Sequence, residues 1–486
     1  MKKGKETLMK EKYEEVKEIL NKYNQQHLLV NYDNLSESDK EKLLDQILGI
    51  DFKQILSLYE NTKKEITFGE SKIEPIPYVD KAKLSEKEYK EYEKLGTEVI
   101  KNGKYAVVTM AGGQGTRLGH KAPKGTFEIG KGVNKSLFEA LSDTIKEANE
   151  EYGVEIPWYI MTSRENNEQT VEFFEKHNYF GFKKENVTFF KQGELPMVDT
   201  NGKILVDEKG LVKEAADGHG GVFESMQKNG IIDNMKSRNI EWVFIAGVDN
   251  VLAKMIDAVA TGLAIKKGVL ATGKSVVKRN PSEKVGVFCK KNNRPYVIEY
   301  TEISKEMSEQ VDENGELLFG ESHIITNLFN IKALEELSKN KLPYHSAFKK
   351  ANFMDENGNV VISKEPNAYK FEAFIFDAFE RLDDMAILRV KREEEFAPVK
   401  NADGLDSPDT ARELYINYIN NKKKVEYNAI SKRIDIDAIN NMVNINNESK
   451  VTNVIANNIE EDTVKSIKIN EIEMQNAAKS IIKDED

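Results

Sequence analysis

A chain of 486 residues, 39% hydrophobic and 31% charged, is long enough for a large core domain with smaller units at its ends, and it has the composition of a globular protein. Its net charge of −11 argues against a general basic surface for nucleic acid, and no apolar run approaches the roughly 18 to 20 residues of a membrane span. Cys289 is the only cysteine, which excludes an internal disulfide or a thiolate-cluster metal site; the six histidines form no H-E-x-x-H pair, which argues against zinc.

From about Glu6 to Lys64 the chain is rich in Lys and Glu, with Leu43, Leu44, Ile47, Leu48, Ile55 and Leu58 at helical spacing. Before this segment Lys2, Lys3 and Lys5 are not followed by the apolar core of a signal peptide, so the expected compartment is the cytoplasm. Ser36 and Asp39 together predict a capped helix start. Pro75 and Pro77 interrupt any helix, and a linker is expected over Ile73 to Pro77. From Lys104 onward β-branched runs alternate with amphipathic stretches: Tyr105 to Met110, Trp158 to Thr162, Val187 to Phe190 and Trp242 to Val248. That alternation predicts an α/β fold with a Rossmann-like, mostly parallel central sheet. Between Val276 and Thr326, Val285 to Cys289, Tyr296 to Tyr300 and Leu317 to Phe319 predict added antiparallel strands, with Asn292-Asn293 as a turn. After Tyr415 the composition shifts to Asn, Ile, Lys and Glu, and Val451 to Ile459 suggests short strands of a small terminal domain. The expected division is a helical region over 1–100, a catalytic domain over 101–390 and a C-terminal domain over 391–486.

The run Tyr105 to Met110 leads directly into Ala111-Gly112-Gly113-Gln114-Gly115-Thr116-Arg117-Leu118-Gly119, with Pro123-Lys124 following. Glycines let backbone N–H groups approach a phosphate, and Arg117 and Lys124 add positive charge, so this loop is expected to hold a polyphosphate. Its G-x-G-x-x-x-G spacing is neither the dinucleotide fingerprint nor a P-loop. A formal P-loop match does occur at Gly268 to Ser275, including Lys274, and would make the chain an ATPase. Its context argues against that reading, because helix-like residues precede it and strand-like Val276-Val277 follow. Asp249 ends an apolar run, which places a carboxylate at the C-terminal edge of the sheet where open α/β folds bind ligands.

Several blocks occur together in one order: Met110 to Lys124, Phe190 to Pro196 with Gln192, Asp217-Gly218-His219-Gly220-Gly221, Val248-Asp249-Asn250, Val297 to Tyr300, Pro366 to Glu372, and Arg392 to Asp403. On these blocks the chain, from about Gln26 to Tyr415, resembles the eukaryotic-type UDP-N-acetylhexosamine pyrophosphorylases and their relatives that make UDP-glucose and other UDP-sugars. The resemblance implies a nucleotidyltransferase-type sheet, UTP and a hexose 1-phosphate as substrates, pyrophosphate as product, and Mg²⁺ as cofactor. Nucleic acid and membranes are not expected partners.

The same resemblance implies residue roles. Met110, Ala111, Gly112 and Gly113 would hold uridine and phosphate, while Gln192 and the backbone at Gly218 would read the uracil edge. Arg117 and Lys124 would stabilise departing pyrophosphate, and Asp249 would ligate Mg²⁺, with Asp403 as a candidate second carboxylate. Lys370 and Lys400 would grip the phosphates, the sequence leaving open which lysine takes which. Glu299 would accept hydrogen bonds from sugar hydroxyls, with Tyr300 and Phe374 also at the sugar. The N-acetylhexosamine enzymes usually carry asparagine at two sugar-facing positions where this chain has His219 and His323. The Gly-His-Gly around His219 resembles the UDP-glucose enzymes. N-acetylglucosamine 1-phosphate is the expected substrate, with glucose 1-phosphate as the alternative.

Overall fold

The computed structural model describes residues 2–64, 71–130 and 132–424. Two compact units divide the chain at 1–415 and 416–486; within the second, residues 416–424 are helical, and the strands expected over Val451 to Ile459 lie outside the described residues. Among the described residues no helix is long and apolar enough to cross a membrane.

The first unit is built on a large sheet. Its main path runs Val79–Asp80, Ala386–Arg389, Ala271–Val277, Glu321–Asn330, Trp242–Gly247, Tyr105–Met110, Trp158–Thr162, Val187–Lys191. Every pairing on this path is parallel except the two made by Glu321–Asn330, so the expected mostly parallel α/β sheet is present. Tyr105–Met110 and Trp158–Thr162 are buried along their whole length, as parallel strands covered on both faces must be.

The antiparallel additions differ from the expectation in extent. Val287–Lys291 and Arg294–Ile298 form a hairpin whose turn residues Asn292 and Asn293 have φ of 51° and 67°, a conformation asparagine tolerates. Leu317 to Phe319 is not a strand, and the long strand begins at Glu321. Nor is Ile73 to Pro77 a simple linker. Ile73–Pro75 pairs with Val287–Lys291 at a sheet edge, where a proline costs no ladder donor.

The N-terminal helices Lys2–Tyr23, Glu37–Leu48 and Phe52–Asn61 follow the predicted apolar spacing, and Ser36 caps the second by accepting the Asp39 N–H at 3.1 Å. Val16, Leu20, Leu44 and Ile55 share a core with Val198, Val206 and Phe371. These helices therefore bury one face of a smaller sheet, His345–Lys349, Ala368–Glu372 and Val198–Asp199, which lies beside the site described next.

Candidate active site

Along the sheet, Val187–Lys191, Trp158–Thr162 and Tyr105–Met110 are followed by Trp242–Gly247 on the other side of Tyr105–Met110. The winding direction reverses between those last two strands. Ligands of open α/β sheets bind outside the carboxyl ends of strands at such a reversal. Met110 ends one strand, Asp249 follows the other by two residues, and Val248 N–H donates to Met110 O at 3.1 Å.

The glycine loop is held open by its own hydrogen bonds. Ala111 N–H donates to Met161 O at 2.7 Å, Gly115 N–H to Ala122 O at 3.0 Å and Lys124 N–H to Gly113 O at 3.0 Å. Asn166 Nδ2 donates to Ala111 O and Gly113 O at 2.9 and 3.2 Å, occupying carbonyls that would otherwise repel a phosphate. Gly112 is required by close approach, because a Cβ there would stand 2.6 Å from Gln192 Oε1. Gln192 and the loop are thus in contact. Arg117 is exposed on the turn Thr116–Leu118, and no ion pair engages it among the described residues.

Lys124 Nζ lies 3.3 Å from Asp249 Oδ2, both half-buried. Burial alone would raise the Asp249 carboxyl, but Lys124 and Lys400 outweigh it and hold the group below the usual carboxylate value. Among the described residues no three His, Cys, Asp or Glu side chains gather to hold a metal. A Mg²⁺ at Asp249 would take its remaining ligands from phosphate oxygens and water, a pattern Mg²⁺ commonly adopts, so a lone carboxylate fits that ion and fits zinc poorly. Asp403 is exposed.

Lys400 reaches this place through a clasp. Asn250 Nδ2 donates to Glu395 O at 2.7 Å, its Oδ1 accepts from Ala397 N–H at 2.8 Å, and Val399 N–H donates to Asp249 O at 2.8 Å. Lys400 acts electrostatically on Asp249 and also on Glu299 and His323, so its charge reaches all three.

At the other end, Gly218 has a φ of 89°, and a Cβ on it would stand 2.4 Å from Ala373 O. This seam is dense: Ala373 N–H donates to Asp217 O at 2.7 Å, Gly220 N–H to Ala373 O at 2.8 Å, and Ile375 N–H to His219 Nδ1 at 3.0 Å. His219 packs on Phe374 with ring centroids 5.4 Å apart, and burial pushes its imidazole below the ordinary value. Because Nδ1 accepts, the proton of the neutral ring sits on Nε2. His323 is buried among Phe288, Phe376 and Phe379, its Nε2–H donates to Asn327 Oδ1 at 3.2 Å, and burial lowers it to about 3. Both histidines touch Phe376, so the structure brings them together.

Glu299 is half-buried, and burial followed by the Glu302 charge raises its carboxyl to about 7. Lys370 Nζ pairs with Glu372 Oε1 at 2.7 Å on the smaller sheet, beside Gly218. Tyr300, in contrast, is exposed and lines a separate groove with Lys278, Pro281 and Lys305. Sequence reasoning missed Asn166, the clasp role of Asn250, and a His345–Asp377 pair beside Phe374; the only sequence signal was the position of Asn250 after Asp249.

The formal P-loop is not one. Gly268 ends the helix Ala258–Lys267, and Ala271–Val277 is a strand. Lys274 is buried there against Asp257 and Glu395 at 2.7 and 2.6 Å.

The family model for UTP–glucose-1-phosphate uridylyltransferase matches residues 50–407. A UDP-N-acetylglucosamine pyrophosphorylase from Saccharomyces cerevisiae is 37% identical over 83% of this chain and 89% of its own length. A UDP-N-acetylhexosamine pyrophosphorylase-like protein 1 from Xenopus tropicalis is 35% identical over 78% of this chain and 79% of its own. The crystal structure of the Trypanosoma brucei UDP-N-acetylglucosamine pyrophosphorylase, solved with an inhibitor, superposes with a TM-score of 0.69 at 29% identity, covering 90% of this chain and 88% of that one. With a glycine loop and a lysine–aspartate pair at the switch point, and with these matches over most of its length, the chain belongs to the UDP-N-acetylhexosamine pyrophosphorylases of the UTP–glucose-1-phosphate uridylyltransferase family.

Proposed function

We propose that this protein transfers the uridylyl group of UTP to N-acetylglucosamine 1-phosphate, giving the UDP-sugar and pyrophosphate. The observation that carries the reading is the Lys124–Asp249 pair at the switch point, with the glycine loop on one side and Lys400 on the other. A sugar phosphate oxygen attacks the α-phosphorus of UTP while the bond to the β-phosphate oxygen breaks, and the electrons leave on pyrophosphate. The nucleophile is already ionised, so the chemistry calls for positioning and charge stabilisation without a dedicated base.

The loop from Met110 to Gly113 presents backbone to the phosphates, and Gln192 with the Gly218 backbone reads uracil. Arg117 and Lys124 offset charge building on the leaving pyrophosphate. Asp249 would hold Mg²⁺, which would supply charge neutralisation on the phosphates. The shared electrostatic reach of Lys400 to Asp249 and Glu299 supports giving it the phosphate at the junction of the two substrates, while Lys370, paired with Glu372, is assigned to the sugar side. Glu299, Phe374, His219 and His323 form the sugar pocket, and Tyr300, exposed on a separate groove, is left out of it. The Nε2–H of His219 donates to a sugar or acetamide oxygen much as an asparagine amide does, so histidine there is compatible with an N-acetylated sugar. We place the protein in the cytoplasm, where its lone buried thiol Cys289 would stay reduced.

Pyrophosphate release from UTP and Mg²⁺ across a panel of sugar 1-phosphates tests the reading. N-acetylglucosamine 1-phosphate is expected to give the highest kcat/KM, and a glucose optimum would overturn the choice of sugar. Lys124→Ala is expected to lower kcat/KM by about 100-fold or more, the scale of removing one donor to transition-state charge. Unchanged turnover would remove Lys124 from the mechanism.

A further inference from the structure

Asp377 and His345 form a pair that the roles above do not use. The Asp377 carboxylate accepts the Phe374 N–H at 3.0 Å and lies 3.0 and 3.1 Å from His345 Nε2. The imidazole lies nearly flat on the Phe374 ring, with centroids 4.7 Å apart and planes at 23°. Phe374 also packs on His219, so two imidazoles fix this one ring. A buried carboxylate that accepts from an imidazole and from a backbone N–H at once restrains the angle of the ring.

A histidine paired with an aspartate is often only a structural brace. Here Asp377 holds the Phe374 backbone by accepting its N–H, and the stacked His345 ring holds the Phe374 side chain. His345 also stands among carboxylates. The titratable groups acting on it are Asp377 from the turn after Phe374, Glu299 and Glu302 from the segment after the Arg294–Ile298 strand, and His219 across the Phe374 ring. Burial opposes its protonation, yet Asp377 and the two glutamates hold it above the ordinary histidine value. Around Glu299 the groups are Glu302 and Asp377, which oppose ionisation, and His345 and Lys400, which favour it.

We infer that His345, oriented by Asp377, is a positioning residue for the sugar substrate: it clamps the Phe374 ring and favours the acceptor form of Glu299 that receives sugar hydroxyls. The inference rests on the sugar pocket proposed above. Without His345, the remaining cation Lys400 faces Glu302 and Asp377 alone, and Glu299 needs a higher pH to lose its proton.

Two measurements test it. In the free wild-type protein, a proton and carbon-13 NMR titration, assigned with His345→Gln and Glu299→Gln, should show the imidazole titrating above an ordinary histidine and Glu299 shifting upward in His345→Gln. In steady-state kinetics, His345→Gln should raise KM for the sugar 1-phosphate about fivefold at pH 7, because an upward shift of about one unit from about 7 lowers the ionised fraction of Glu299 from about one half to about one eleventh. It should leave KM for UTP and kcat nearly unchanged, and sugar KM should recover as pH rises. His345→Lys, which restores charge but not the stacked ring, should return the pH profile toward that of wild type. An imidazole titrating below the ordinary value in the wild type, or equal losses in both KM values with an unmoved pH profile, would overturn the inference. Wild-type protein that joins UTP to no hexose 1-phosphate would instead overturn the functional reading, and the titration in the free protein would still be read independently.

Discussion

Asp217 is buried between Gly193 and Gly221, and its Oδ1 has no hydrogen-bond partner. A Cβ at Gly193 would stand 2.3 Å from Oδ2, and one at Gly221 would stand 2.4 Å from Oδ1, so the carboxyl is wedged where neither neighbour can carry a side chain. Burial, and then the Glu224 charge, raise this carboxyl to about 7 from the ordinary 3.8. The unfolded chain therefore releases the proton near pH 4 while the folded protein keeps it to about pH 7. Stability from this group is full below the lower value and is lost as pH rises through the upper one. Thermal melts of Asp217→Asn are expected to sit higher relative to wild type at pH 8 than at pH 4. A pH-independent difference between the two proteins would show that the residue does not titrate in that range. At this scale the sequence was legible where chemistry is local. Lys124 and Asp249 each follow a strand and a loop that announce themselves, and they meet in space. Asn166 and His345 were not legible, because their partners lie far along the chain, Ala111 for one and Asp377 for the other.

Among the elements, the segment from Glu395 to Lys400 has little regular structure of its own and depends on Asn250. Asn250→Ala removes three buried hydrogen bonds and leaves the Glu395 carbonyl and the Ala397 and Leu252 N–H groups unsatisfied, a loss of about 2 to 3 kcal/mol. Urea denaturation should register that loss. At saturating substrate, kcat should fall by more than KM rises, because Lys400 loses its fixed place. Four of the parallel strands, from Tyr105–Met110 to Trp242–Gly247, were readable as short apolar runs, whereas the parallel Ala386–Arg389 and the antiparallel Glu321–Asn330 were not. That strand carries Ser322, His323, Thr326 and Asn327, all buried, and Ile325 at a φ of 54°, so its pattern has neither a simple alternation nor a continuous apolar run. A β-branched residue in the left-handed region is uncommon, and such strain tends to collect near functional sites. Ile73–Pro75 was misread because a proline breaks a helix and also suits a sheet edge.

Across the molecule, one buried charge network ties the distal half of the sheet to the Lys400 segment. Lys274 pairs with Asp257 and Glu395, and Lys81 adds to Asp257 at 2.9 Å. Although burial opposes ionisation, Lys274 and Lys81 hold Asp257 far below the usual carboxylate range. Lys274→Met leaves two buried carboxylates short of a partner and should destabilise the protein by about 3 to 5 kcal/mol, measurable by denaturant unfolding. A P-loop lysine would instead be removed with loss of nucleotide hydrolysis and little loss of stability. The α/β class was legible from the rhythm of runs along the chain. The strand order was not, since nothing local says that Trp242–Gly247 returns to the far side of Tyr105–Met110.

The seam between Gly218 and Ala373 gives the molecule one more property. The backbone proposed to read uracil and the backbone carrying Phe374 are the same hydrogen-bonded strip, so ordering one half by a ligand prepays the ordering of the other. The two substrates should then bind with positive heterotropic cooperativity. Reciprocity requires a non-reactive UTP analogue to tighten sugar phosphate binding by the same factor with which the sugar phosphate tightens the analogue, and calorimetric titrations run in both orders would measure that factor twice.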